Sequence, residues 1–424
     1  MRLKVLFNPF TSSSVAHMVR CFAIADEMKK RGYEFYFTSS KSKKDFIEKY
    51  GYKVIMTYPD VNINDPKDQS VNFLKDYHDE FVEWFKAEIK ATRLLKPDVV
   101  IVAPAIFGPH VYYATKTPLI SIIDVQYLGT ECKGLMGISK CTDKLIDRFL
   151  TTILRPVFDK KFTRIYLKEV MNIYKDLGLR NDIKSRDELY NPMAVLIPSD
   201  NYTQPMRMDR KDTEYIGPLF WDGFERMNTD ISEEKIKKFK KNKKLIYLMF
   251  GGSLFDKDIY NKIINTLMEL KQKLIVCIGP NFKRGEFRND NNDLMIRTLV
   301  PGMKLSRLSD IIVNTGSQGS VMQGLWWGKP QVTVPVIMDQ AFYSNRLEEM
   351  GLGINTNHVS LLKFSKRESF SKLPNDISEK IILGVKQIIK NDKYKKNALE
   401  FRKVLRKYND APKKAVNFIE NYIK

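Results

Sequence analysis

Residues 310 to 353, DIIVNTGSQGSVMQGLWWGKPQVTVPVIMDQAFYSNRLEEMGLG, interleave short apolar runs, Gly/Ser turns and helical patterns around a small set of polar side chains. Strands alternating with helices at this spacing demand a parallel sheet, because only a crossover helix can return the chain to the same edge. An apolar strand at 311–313 breaks into the turn Thr315-Gly316-Ser317-Gln318-Gly319-Ser320. Ser320 is expected to cap a helix whose apolar face begins at residues 321–325. The turn would then offer free backbone N–H groups at the positive end of a helix dipole, which suits a phosphate. A short buried strand over 330–335 delivers Asp339 and Gln340 at its carboxyl end, and such acceptor-rich side chains suit hydroxyls. Together these features describe a phosphate beside a sugar.

The same rhythm runs through the rest of the chain. Residues 3–7 predict a strand, 8–14 a turn, and His17 opens a helix that stops at Gly32. Further strands are expected at 96–102, 118–123 and 245–250, the last followed by Gly251-Gly252-Ser253. A chain of 424 residues, 43% of them hydrophobic, can bury two cores. The predicted fold class is therefore α/β, with a doubly wound parallel sheet in each half. The expected boundaries are 1–216, 217–395 and a C-terminal helical segment, 396–424, packing back on the first domain. The Lys-rich run 235–244 reads as a solvated helix and linker, and no solenoid-period repeat is present.

No apolar run approaches the roughly 20 residues needed to span a bilayer, and the short N-terminal apolar stretch reads as a strand, not a signal peptide. Cys21, Cys132, Cys141 and Cys277 lack metal-ligand or redox spacing, so a reduced, cytoplasmic chain is expected. The formal charge is +21, and residues 361–424 hold 17 Lys/Arg against 7 Asp/Glu. This surplus either is simply solvated or docks the protein peripherally on the inner, anionic face of a membrane. Nucleic acid is not the expected partner, because no helix-turn-helix, zinc-finger or RNA-binding signature is present.

The signature at Gly316, Ser320, Gly328-Lys329-Pro330, Pro335, Asp339-Gln340 and Gly351-Leu352-Gly353 resembles the donor-sugar motif of the UDP-glycosyltransferase superfamily. Its flavour is closest to sterol, lipid and bacterial macrolide-type enzymes, partly because Ala341-Phe342-Tyr343-Ser344-Asn345-Arg346 follows the Asp-Gln pair. The resemblance extends to the opening strand, loop and His-led helix, to Tyr215-Ile216-Gly217-Pro218, and to the Val300-Pro301 turn. It implies a GT-B fold, two Rossmann-like domains facing a cleft. It also implies an inverting transfer of a hexose-type sugar from a UDP- or TDP-sugar to a hydroxyl of an apolar, lipid or other small-molecule acceptor.

Under that resemblance His17 is the expected general base. Relatives orient this His with an Asp where Ala103 stands here, so Asp124, ending the neighbouring strand, is the replacement expected from its position; capping the next turn is its alternative. His110 is either structural or acceptor-lining. Gly252, Ser253, Thr315, Gly316, Gln318, Gly319 and Ser320 are assigned to the diphosphate, Val300 to the nucleobase, Gln323 to the ribose, and Asp339 and Gln340 to the sugar. Thr315 stands where relatives place a His, and Gln323 where they often place a Glu. No Asp-x-Asp pair suited to hold a metal on the diphosphate is read, so no metal and no cofactor beyond the donor substrate are expected. Two rival readings use the same fold: a nucleotide-sugar epimerase, and a catalytically silent nucleotide-sugar-binding partner.

Overall fold

The computed structural model describes residues 3–11, 15–61, 73–104, 109–128, 145–206, 210–223, 231–250, 257–279, 282–287, 291–358 and 373–424. The chain divides into two compact units, one of residues 1–135, 154–221 and 408–424, the other of residues 136–153 and 222–407.

The first unit is built on β1 (Lys4–Pro9), β2 (Glu34–Ser40), β3 (Val54–Tyr58), β4 (Val99–Ala103), β5 (Leu119–Ile122), β6 (Met193–Ile197) and β7 (Thr213–Tyr215). They form one sheet in the order β3-β2-β1-β4-β5-β6-β7, and every pairing is parallel. β4, β5 and β6 are buried along their whole length, as a sheet covered on both faces requires. The helix Ala16–Lys30 follows β1 and ends at Gly32, whose φ of +75° only glycine adopts without strain. Aromatic side chains fill one core: Phe10, Tyr58, Phe81, Trp84 and Phe85 are buried there, each worth about 1.5–3 kcal/mol of transfer free energy.

The second unit repeats the plan with β8 (Leu245–Met249), β9 (Lys273–Cys277), β10 (Leu294–Arg297), β11 (Ile311–Asn314), β12 (Gln331–Thr333) and β13 (Gly353–Asn355). Its order is β10-β9-β8-β11-β12-β13, again all parallel. The strand order reverses between β1 and β4 in one sheet and between β8 and β11 in the other. In such folds a ligand crevice opens outside the carboxyl ends at that reversal.

The C-terminal segment does not act as one group. Helix Lys393–Leu405 belongs to the second unit, while Ala411–Tyr422 belongs to the first and buries Ala411, Ala415, Val416 and Ile419. Arg31 Nη1 and the Tyr33 hydroxyl donate to Glu420 at 2.8 and 2.6 Å and anchor that last helix. The break between the units falls after Trp221, a few residues beyond Gly217-Pro218. Gly217, at φ +85°, is held in the first unit by Tyr408: a Cβ there would lie 2.3 Å from Tyr408 Cβ. The Lys-rich run forms the helix Glu233–Lys240, capped by Ser232, with Ile236 as its buried anchor.

Candidate active site

Two clusters occupy the carboxyl ends of the two sheets, and each is complete within its own unit. In the first, β1 leaves the sheet under tight control. Phe10 N donates to Ala103 O at 2.8 Å, Ser40 N donates to Thr11 Oγ1 at 2.7 Å, and the Tyr58 hydroxyl donates to Pro9 O at 2.9 Å. Phe10 stacks on Trp84 with centroids 5.1 Å apart, and Trp84 on Tyr58 at 5.0 Å. This scaffold fixes where the chain re-enters helix Ala16–Lys30.

His17 lies in the first turn of that helix, its ring 6.3 Å from that of Phe10. The residue is half-buried, but its Nδ1 is sealed from solvent and has no hydrogen-bond partner. Burial, and then the positive charge of Arg20, lower its pKa to about 3. The imidazole is therefore neutral at physiological pH, with a lone pair or an N–H that nothing in the described chain satisfies.

Asp124 does not orient His17, which corrects the expectation. One turn along the same helix, Arg20 Nη2 approaches Asp124 Oδ2 at 3.4 Å, and Gln204 Nε2 donates to Asp124 Oδ1 at 3.1 Å. Gln204 also accepts from Val125 N at 2.7 Å, so it clamps the turn after β5. Arg20 and Asp124 are both buried, and a buried guanidinium competes for a carboxylate far better than a neutral imidazole does. The helical period could have flagged Arg20, which shares the face of His17 at i+3. Gln204, eighty positions from Asp124, carries no local signal.

His110 is structural. Its ring stacks on that of Phe85, with centroids 3.8 Å apart and planes nearly parallel, and its Nε2 is 2.8 Å from Glu88 Oε2. Glu88 in turn accepts from Trp84 Nε1 at 2.7 Å, which completes a buried, satisfied network.

In the second unit the site begins where β11 ends. Asn314 Oδ1 accepts from Gly316 N at 2.7 Å, and Asn314 Nδ2 donates to Gln331 Oε1 at 2.7 Å. Gln331 Nε2 reaches Val321 O at 3.0 Å. Asn314 and Gln331, both fully buried, thus tie the turn to β12 and to the next helix. Neither was anticipated as a site residue, although a polar residue in an otherwise apolar strand was a readable signal.

Gly316 has φ +81°, and a Cβ on it would lie 2.2 Å from Ser344 Oγ and 2.7 Å from Gln340 O. This glycine lets the turn lie directly against helix Met338–Glu349. The helix after the turn starts earlier than expected: it spans Gln318–Trp326 with Ser317 at the N-cap, so Ser320 sits inside the first turn. Gly316 causes the shift by reversing the chain before Ser317. Ser317 Oγ and Ser320 Oγ are 2.9 Å apart, and no side chain caps the helix. The first-turn amides of Gly319 and Ser320 are consequently not spent on a side-chain cap, as an anion site requires.

Thr315 is buried beside this turn. Gln323 is half-buried, and its Oε1 is buried without a partner; a Cβ on Gly302, two residues after the half-buried Val300, would lie 3.0 Å from it. Asp339 and Gln340 stand in the first turn of their helix and do not end the strand itself. Asp339 is half-buried, whereas Gln340 is buried and its Oε1 accepts from Val336 N at 2.9 Å. The amide oxygen of Gln340 therefore closes the β12 turn, a task the sequence reading did not give it. Gly252 and Ser253 lie outside the described residues, as do Cys132 and Cys141. An Asp-x-Asp spacing does occur in Asp256-Lys257-Asp258, where Asp258 sits in the first turn of helix Lys257–Met268 and Asp256 lies outside the described residues.

Cys21 is buried and its thiol is pushed far above the ordinary range by burial, and Cys277 is pushed up to about 11 for the same reason. Among the described residues no three His, Cys, Asp or Glu side chains gather as a metal site, and no helix is long and apolar enough to cross a membrane.

No protein-family model matches the chain. It is 22% identical over 386 residues to a sterol 3-beta-glucosyltransferase of Yarrowia lipolytica, an alignment covering 86% of this chain and 26% of that protein. It is 26% identical over 133 residues to the NDP-glycosyltransferase YjiC of Bacillus licheniformis, covering 31% of this chain and 34% of that one. The matches thus span about a quarter to a third of these curated relatives' own length. Among solved structures, the glycotransferase of kitacinnamycin superposes with a TM-score of 0.71 at 15% identity, covering 100% of this chain and 99% of that one. The two Rossmann-like units thus have the GT-B fold.

Proposed function

We propose, from the premise that this chain is a GT-B protein of the UDP-glycosyltransferase superfamily, that it transfers a hexose-type sugar from a nucleotide diphosphate to a hydroxyl of an apolar, lipid-class acceptor, with inversion. The observation that carries the reading is the turn after β11. There an Asx-closed Gly316, an uncapped helix N-terminus and the first turn of helix Met338–Glu349 meet at the carboxyl edge of the sheet.

In this mechanism the first-turn amides and the Thr315 hydroxyl bind the diphosphate and stabilise the charge that develops as it leaves. The unpartnered Gln323 Oε1 accepts from a ribose hydroxyl beside the Val300 turn. Asp339 accepts from sugar hydroxyls, while Gln340, its oxygen already spent on Val336, has its amide N–H₂ to offer. His17, half-buried and neutral at physiological pH, takes the proton from the acceptor hydroxyl as the anomeric carbon is attacked from the face opposite the nucleotide. The curated sterol glucosyltransferase relative supports an apolar acceptor, and the acceptor, the UDP or TDP nucleotide and the inversion are parts of the proposal.

A second reading, nucleotide-sugar binding without turnover, draws on the low basicity of His17 and the engagement of Asp124 by Arg20. The test is a thermal-shift screen across UDP-, TDP- and GDP-sugars, followed by incubation of the best donor with and without a sterol or other lipid acceptor. A donor at a hundred times its dissociation constant should stabilise the fold by about 2.7 kcal/mol. A glycosylated lipid with inverted anomeric configuration supports the transferase. Binding without any product supports the silent reading, and conversion of the donor alone supports an epimerase. Thr315→Ala should weaken donor binding by about 0.5–3 kcal/mol, one hydrogen bond's worth, and an unchanged dissociation constant would remove the cradle assignment.

A further inference from the structure

At the opposite, amino edge of the second sheet lies a cluster of cations that the proposed transfer does not use. Helix Gln318–Trp326 runs from the donor turn across the sheet and ends in Trp326 and Trp327, followed by Gly328 and by Lys329 just ahead of β12. Helix Lys393–Leu405 packs on this end so closely that a Cβ on Gly328 would lie 3.0 Å from Leu399 Cδ2. Lys395, Arg402 and Arg406, at i, i+7 and i+11, share one side of that segment.

Three guanidinium groups surround the Trp327 indole, with Arg406 at 4.9 Å and Arg307 and Arg402 at 5.9 Å from the ring centroid, while Arg406 also lies 4.1 Å from the Trp326 ring. Arg307 is neutralised by Glu233, and Lys240 by Asp310 at 2.8 Å. No ion pair is found for Lys329, Lys395, Arg402 or Arg406 among the described residues. The buried donors Trp327 Nε1 and Arg406 Nε have no hydrogen-bond partner. Burial, reinforced by Lys240, Lys395 and Arg402 against the opposing pull of Asp310, lowers the Lys329 ammonium to about 8.

A structural role accounts for part of this arrangement. Arg406 Nη2 donates to Trp326 O at 3.4 Å and so caps the helix, whose negative end attracts cations. That end carries only about half an elementary charge, which cannot offset four cations. Cation-π contacts offset some repulsion but supply no acceptor. The cluster presents donors and positive charge with too few acceptors, so a ligand that brings oxygens and negative charge is what it lacks.

We infer that Arg402 and Arg406, gathered around Trp327, form with Lys329 a binding site for a phosphate group, separate from the donor cradle at the other end of the same helix. The phosphate is either a free anion or the headgroup of an anionic lipid, and the inference stands independently of the proposed sugar transfer.

The test uses the full chain. Thermal stability is titrated with inorganic phosphate against chloride at matched ionic strength, and sedimentation is measured with phosphatidic acid vesicles against phosphatidylcholine vesicles. Arg402→Gln and Lys329→Met are compared with wild type, and Thr315→Val controls for phosphate entering the donor cradle. The expected result is a saturable stabilisation by phosphate, or selective sedimentation with phosphatidic acid, that each of the two variants weakens about tenfold or more and Thr315→Val leaves intact. Without phosphate, both variants should melt at or above the wild-type temperature, because each removes like-charge repulsion. Stabilisation by phosphate alone identifies a free anion, and sedimentation alone identifies a headgroup. Equal behaviour of phosphate and chloride with equal binding to both vesicles overturns the site. So does a phosphate effect that Thr315→Val abolishes and the cluster variants do not.

Discussion

Arg20 Nη2 lies 3.4 Å from Asp124 Oδ2, so the carboxylate that sequence position offers to His17 is held by a guanidinium one turn further along the histidine's own helix. The pair sits at the carboxyl ends of β1 and β5, where it both closes the β5 turn and sets the field around His17.

Asp124→Asn is expected to destabilise the first unit by about 3 kcal/mol, because it replaces the carboxylate facing the buried Arg20 charge with a neutral amide. Urea unfolding measures this. A loss below about 1 kcal/mol would mean that the pair is not energetically coupled.

His17 makes stability depend on pH with a defined sign. Its folded pKa, about 3, lies below the ordinary 6.5, so between these values the unfolded chain binds a proton that the folded chain refuses. Its neutral form is fully favoured above about pH 6.5, and stability drains away as pH falls towards 3. His17→Gln removes this component, so the variant should gain on wild type progressively below pH 6.5 and hold a constant offset above pH 7. A pH-independent difference between the two unfolding midpoints would show that the ring is not desolvated. In the transferase reading His17→Ala should also cut turnover by about 10²- to 10⁴-fold with donor affinity nearly intact.

Gly316→Ala is expected to cost about 1–3 kcal/mol, from a positive φ and from a Cβ 2.2 Å from Ser344 Oγ. The added Ser344→Ala change should recover only part of the loss, because the Gln340 backbone oxygen remains 2.7 Å away. Full recovery in the double variant would show that the helix contact alone, and not the backbone conformation, requires glycine.

Asp339 and Gln340 should separate in their effects. Gln340→Ala leaves Val336 N unsatisfied and should lower stability by about 1–3 kcal/mol, whereas Gln340→Glu keeps the acceptor and should restore most of it. Asp339→Ala should act on discrimination between donor sugars while binding of the bare nucleotide diphosphate survives. If Gln340→Ala unfolds at the wild-type midpoint, the hydrogen bond to Val336 is not what holds this turn.

Much of the fold was legible along the chain. Alternating apolar runs and helical patterns placed β1, β4, β5, β8 and β11 within a few residues, and Gly32 marked the end of the first helix. Thr315, Gly316, Asp339 and Gln340 were singled out from the turn and helix pattern, because a sharp turn and a helix start need particular residues at particular offsets, and Gln323 was singled out by the family resemblance. The start of helix Gln318–Trp326 was misjudged by three residues, since the reversal at Gly316 depends on Asn314 closing the turn and on Ser344 lying behind it.

By itself, then, the sequence determined the two doubly wound sheets and the positions of the Gly316 turn and of the His-led helix, all features governed by contacts within a few residues. Only the tertiary structure decided which partners the polar groups take. Asp124 goes to Arg20 and Gln204, Gln340 to Val336, His110 to Glu88, and Arg406 to the end of another helix. The physical reason is that each buried charge or amide is satisfied by whichever complementary group the packing of distant strands and helices brings within hydrogen-bonding reach, and that choice is not written in local spacing.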